Sequence, residues 1–254
     1  MPILVPRWDL TLLGYWQLKR NDEPVDVGAR QKRVITSLAL LGVRPRHFIA
    51  TLLWPDGSET QAAGNLRASI FRISHELPYL MCTTEPLRLE DHVTVDVHRL
   101  RQTIGALIDS GEPGVPRTTI DLLRTTELLP GWYEDWVVCE QELLQHERVD
   151  ALEILARRYL AEGDPPHAIV AARSAASIEP LRESLQFLLV RGYLAADNRA
   201  SALSAYRDFC LRLRSELGMA PSPRFDDLLR SELSRPAHSG AASGHVTALK
   251  AAQR

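Results

Sequence analysis

A chain of 254 residues, 45% of them apolar, can bury a substantial core as one large domain or two ordinary ones. No apolar run approaches the roughly 18 residues a bilayer span needs, and the start MPILVPRWDL lacks a basic n-region and a long apolar core. A soluble, cytoplasmic protein is therefore expected. A net charge of −2 gives no global attraction to nucleic acid, so any DNA contact must come from local patches.

In chain order, DLTLLGYWQLK at 9–19 and EPVDV at 23–27 flank the turn signal Asn21-Asp22 and predict two short antiparallel strands. The period then changes. In ARQKRVITSLALLG, Val34, Ile35, Leu38 and Leu41 fall at helical spacing and Gly42 sits at the stop. A short second helix follows in RPRHFIATLLWP, ended by Pro55. The third, SETQAAGNLRASIFRISHEL, opens with Ser58 and Gln61 in capping-box spacing. Its Leu66, Ile70, Ile73 and Leu77 fall within about 60° of one another at 100° per residue, while Ala68, Phe71, Arg72 and His75 point the opposite way. LMCTTEPLRLEDHVTVD then reads as a terminal hairpin around Glu85-Pro86. This order is that of a winged helix-turn-helix with an extra amino-terminal sheet, a fold whose third helix enters the major groove.

The remainder is helical in pattern and repeats. LARRYLAEGDPPHAI (155–169) and LVRGYLAADNRASAL (189–203) align at an offset of 34 residues, matching Leu155 with Leu189, Tyr159 with Tyr193, Asp164 with Asn198 and Ala168 with Ala202. That is the tetratricopeptide period. The expected hairpins are Glu140–Ala161 with Pro165–Ser177 and Leu181–Ala196 with Arg199–Leu217, closed by a helix at Pro223–Leu233 and preceded by two helices within 97–136. The fold class is mainly α with a small β component: a winged helix-turn-helix domain at 1–96, an all-α tetratricopeptide-like repeat domain at 97–235, and a disordered tail at 236–254.

Six stretches carry a family resemblance: LTLLGYWQLKRNDEPVDVGARQKRVITSLALL, LLWPD, NLRASIFRI, VTVDVHRL, LLPGWYEDW and RLRSELGMAPSP. In this order the chain resembles the SARP family of actinobacterial activators, which join a response-regulator-type winged helix to a bacterial transcriptional activator domain. The resemblance implies a monomer or homodimer that binds direct repeats of double-stranded DNA near a promoter and recruits RNA polymerase holoenzyme. It also implies an antibiotic or other secondary-metabolite gene cluster as target, and residence at the nucleoid. Two features depart from the family pattern. Ser74-His75-Glu76 stands where a further basic pair is common, and the wing CTTEPLRL has Arg88 as its one cation.

On the third helix, Asn65, Arg67, Ala68, Phe71, Arg72 and His75 are the candidates for DNA reading, and Arg72 leads because a guanidinium binds guanine bidentately. The plain alternative is a solvated helix face. Phe71 suits a thymine methyl, with a contact to the wing or the second domain equally open. Arg30, Lys32, Arg33, Arg44 and Arg46, with Thr83, Thr84 and Arg88 of the wing, are the candidates for phosphate contacts, which fix register without reading sequence. Trp8, Trp16 and Trp54 are expected to pack between sheet and helices, and Trp132 and Trp136 to anchor the join to the repeats.

No phosphate loop, dinucleotide fingerprint, nucleophile elbow or paired-histidine metal motif occurs, and Cys82, Cys139 and Cys210 lack metal-ligand spacing, so neither an enzyme nor a cofactor is expected. Two other readings stand beside the activator. One is a repeat scaffold whose winged helix binds DNA weakly or not at all, with the groove of the first repeat helices holding a peptide or subunit. The other is a ligand sensor, for which no segment marks a pocket.

Overall fold

The computed structural model describes residues 5–109 and 118–233. The amino-terminal part is built from β1 (Trp8–Thr11), β2 (Gln17–Arg20), β3 (Glu23–Val25), α1 (Ala29–Leu41), α2 (Arg46–Leu53), α3 (Glu59–Glu76), β4 (Met81–Cys82), β5 (Arg88–Leu89) and β6 (Val93–Val95). Among the described residues, three strands therefore precede α1 where two were expected. Gly14, at φ 83°, breaks DLTLLGYWQLK into separate β1 and β2, a backbone conformation glycine adopts at no steric cost. Asn21 and Asp22, both at positive φ, turn β2 into β3, as a two-residue hairpin loop demands.

The terminal hairpin is shorter than its pattern suggested. β4 and β5 pair, whereas VTV leaves the hairpin to lie parallel to β1 at the edge of a sheet ordered β3-β2-β1-β6. Burial of Val95 in the core accounts for the switch. Trp8, Leu10 and Leu18 of the sheet meet Val34, Ile35, Leu38, Ile49, Leu53, Ile70 and Ile73 of the three helices. Trp8 is fully buried and donates its indole N–H to the Pro78 carbonyl (3.2 Å); Trp16 is half-buried and donates to Thr36 Oγ1 (2.8 Å).

Among the described residues, the elements of the carboxy-terminal part are all helices: α4 (Asp96–Asp109), α5 (Thr118–Thr125), α6 (Asp135–Ala161), α7 (Pro165–Ile178), α8 (Glu183–Ala195), α9 (Arg199–Leu217) and α10 (Arg224–Leu233). Helix α6 starts at Asp135 and not near Glu140, because Trp136 and Val137 are buried and draw the first turn into the core. The 34-residue offset has a structural meaning. Asp164 and Asn198 both cap the second helix of a hairpin, accepting from His167 N–H and Ser201 N–H, which satisfies a donor the helix itself leaves open. Ala168 and Ala202, just inside those caps, are fully buried. The expected tail at 236–254 lies outside the described residues.

One continuous core runs from Trp8 to Leu189, and a second cluster gathers around Phe225. The two halves are joined by polar contacts as well. The Asp96 carboxylate, at the start of α4, accepts from the N–H groups of Leu12 (2.9 Å) and Leu13 (3.0 Å). Leu129 N–H donates to the Leu12 carbonyl (2.9 Å) and Gly14 N–H to that of Glu127 (2.7 Å). Buried Arg148 donates to the carbonyls of Leu123 (2.7 Å) and Arg124 (3.0 Å) at the end of α5. Burial lowers the pKa of that guanidinium, a shift that Glu127 partly opposes.

Candidate nucleic-acid interface

Helix α3 is fixed at its start by a reciprocal capping box between Ser58 and Gln61. Its inner face buries Ala62, Leu66, Ser69, Ile70 and Ile73 against the core. The outer face carries Arg67, Ala68, Phe71, Arg72 and His75, all exposed, with Asn65 half-buried at its margin. These six residues share one continuous surface. Phe71 is 71% exposed and its ring stacks with that of His75. Arg67 reaches back to the Ala63 carbonyl (3.3 Å). Arg72 makes no ion pair among the described residues.

The candidates for phosphate contact are spread more widely. Arg46, at the first turn of α2, is tied to the wing: its guanidinium donates to the Thr83 carbonyl and pairs with Glu85 (3.2 Å), whose carboxylate also accepts the Arg46 backbone N–H (2.8 Å). Arg44 exchanges backbone hydrogen bonds with Leu87 of the same loop and stacks over Phe48 (5.5 Å). The wing is thus laced to the segment before α2 by Arg44 and Arg46. Thr84, exposed, and Thr83, half-buried, lie at its tip, and the neighbouring Cys82 thiol is drawn to a lower pKa by its hydrogen bond with Thr84. Arg88 is half-buried on β5.

On α1, Arg30 is exposed, Lys32 lies over the Trp16 ring (4.8 Å), and Arg33 faces Glu134 of the second half at 2.9 Å. Arg33 therefore belongs to the join between the halves and is not brought to the α3 surface. The sequence reading passed over His47 and Thr51. With Arg46 and Arg67 they line the cleft between α2 and α3, and their four-residue spacing on the polar side of α2 was the signal available. Among the described residues no cluster of His, Cys, Asp or Glu is arranged to hold a metal ion, and no helix is long and apolar enough to cross a membrane.

Residues 95–231, more than half of the chain, match the family model of the bacterial transcriptional activator domain. The chain belongs to the bacterial transcriptional activator domain family. Together with the winged helix ahead of that domain, membership bears out the SARP resemblance. Among solved structures, Mycobacterium tuberculosis EmbR in complex with a low-affinity phosphopeptide is similar over 90% of this chain and 65% of that one, with a TM-score of 0.70 and 22% identity. At that identity the likeness is one of fold, and it takes in both the amino-terminal part and the helical array. This family member spans about two thirds of the length of the EmbR chain. No curated protein matches the chain.

Proposed function

We propose that residues 1–96 form a DNA-binding domain whose helix α3 lies in the major groove, and that residues 97–235 form the domain through which activation is transmitted. The outer face of α3 carries the argument: two arginines, a histidine and an exposed phenylalanine stand on one side of a helix whose other side is locked in the core. Arg72 is assigned the leading base-edge contact, with Arg67, Asn65, Ala68 and His75 beside it and Phe71 as the apolar element. Arg30, Lys32, Arg44, Thr83, Thr84 and Arg88 flank this face as backbone contacts.

On this reading the protein is a non-enzymatic regulator at the nucleoid. It binds direct repeats near the promoter of a secondary-metabolite cluster, as a monomer or homodimer, and recruits RNA polymerase holoenzyme. The experiment is fluorescence anisotropy against promoter fragments at several salt concentrations. Selective binding that weakens log-linearly with salt and is lost in Arg72→Ala supports the reading. Binding no tighter than that of a neutral control protein overturns it in favour of a partner-binding scaffold, the alternative favoured by the engagement of Arg33 and Arg46 in internal ion pairs.

A further inference from the structure

A groove of about 380 Å³ runs between α7 and α9, the second helices of the two hairpins, over a floor supplied by α8. The groove foreseen from the repeat was that of the first helices; this one is walled by the second helices and takes only its floor from a first helix. Its two guanidiniums come from positions distant in sequence and outnumber the one carboxylate of the lining, Asp208. Arg173 on α7 is stacked over the Tyr193 ring (5.7 Å) and donates to its hydroxyl, so its guanidinium is oriented before any ligand arrives. No carboxylate lies within ion-pair distance of it among the described residues. Among the described residues, Arg212 on α9 has Glu216 as its one ion-pair partner, at 4.0 Å, on an exposed helix surface.

Along the same wall Ser204 offers a hydroxyl and Asp208 an acceptor for a backbone N–H. The wall from Ser201 to Arg212 is about 16 Å long at 1.5 Å per helical residue. That length accommodates about five residues of extended chain at roughly 3.3 Å each. Two guanidiniums in a trough of that length match carboxylates carried on a strand better than a compact ligand.

We propose that the α7–α9 groove docks an extended, acidic segment of a partner protein. Residues 234–254 of the chain contain no Asp or Glu, so by charge the chain's own carboxy-terminal segment is not the occupant. The proposal is independent of whether α3 binds DNA.

The test is anisotropy of a labelled Glu-Ala-Glu-Ala-Glu-Ala peptide with the full chain, against the corresponding Lys-Ala peptide. Saturable binding of the acidic peptide is expected, weakened tenfold or more in Arg173→Ala/Arg212→Ala and unchanged in Arg67→Ala/Arg72→Ala. Should the double variant unfold, Ser204→Glu, which adds a negative charge at an exposed position of the groove, must weaken binding to a similar degree. No preference for the acidic peptide, loss through the α3 variant, or indifference to Ser204→Glu overturns the proposal.

Discussion

The ring of Phe71 lies parallel to the imidazole of His75, with an angle of 2° between their planes and centroids 6.4 Å apart. Four residues apart on one helix face, the two side chains form a flat ledge turned away from the core. An apolar ring left in water at that position is poorly placed for folding and well placed to meet a thymine methyl in the major groove. On duplexes selected from a random pool, replacing one thymine by deoxyuridine removes that methyl. It is expected to weaken the wild-type chain roughly fourfold, the worth of about one buried methylene. Phe71→Ala is expected to be insensitive to the same replacement. Equal sensitivity of both proteins at every thymine would refute the assignment.

Arg72 and Arg46 are predicted to differ in kind. Arg72 has no partner within the described structure, so Arg72→Ala should remove one direct contact and, if that contact is a phosphate, reduce the salt slope by about 0.9. Arg46 is bound to Thr83 and Glu85 and acts by holding the wing. Glu85→Ala should then weaken DNA binding as Arg46→Ala does, with the double variant no worse than either single one, the non-additivity that marks a shared function. Stronger binding by Glu85→Ala would mean that the carboxylate masks a guanidinium that reaches phosphate itself.

The contrast between these arginines explains how far the sequence could be read. Periodicity placed the three helices of the winged domain and the face of α3, because Leu66, Ile70 and Ile73 repeat at helical spacing and the core uses that same stripe. The 34-residue repeat located the hairpins because Asp164 and Asn198 cap equivalent helices. What could not be read was set by long-range pairing. The departure of β6 to the far edge of the sheet, the tie of Arg46 to Thr83 and Glu85 some forty positions away, and the meeting of Arg33 with Glu134 leave no mark in local spacing. The α7–α9 groove was invisible for the same reason, since its two arginines meet only when the hairpins stack.

Two helical glycines should respond oppositely to alanine. Nothing lies within 4 Å of a Cβ built on Gly64, in the middle of α3, whereas one built on Gly192 in α8 would stand 2.9 Å from Ile169 Cγ1 and 3.7 Å from its backbone N. Gly64→Ala is therefore expected to stabilise the fold by about 0.5–1 kcal/mol. Gly192→Ala should destabilise it by about 1–3 kcal/mol, since stacked helices must separate to admit the methyl group. Thermal unfolding distinguishes the two. The same Gly64→Ala protein also tests DNA approach: if the backbone of α3 comes close to the duplex there, a more stable protein will bind DNA less tightly.

Asp96 is predicted to hold the two halves in register. Its carboxylate accepts from the N–H groups of Leu12 and Leu13 and also from Val97 N–H (2.8 Å), so it closes β1 onto the start of α4. Leu12 then receives Leu129 N–H at its carbonyl, which makes this short stretch of backbone the bridge between the sheet and the segment before α6. Asp96→Ala leaves three part-buried donors without that acceptor and should cost about 2–3 kcal/mol, lowering the unfolding temperature by roughly 5–10 °C. Asp96→Asn, which retains one oxygen able to accept, should lose about half as much. Hydrogen exchange at Leu12 and Leu13 should accelerate in Asp96→Ala, while exchange within α8 and α9, far from the bridge, is unaffected below the transition. Unaltered exchange at Leu12 and Leu13 would show that the carboxylate is dispensable, and that the continuous apolar core alone holds the winged helix to the repeats.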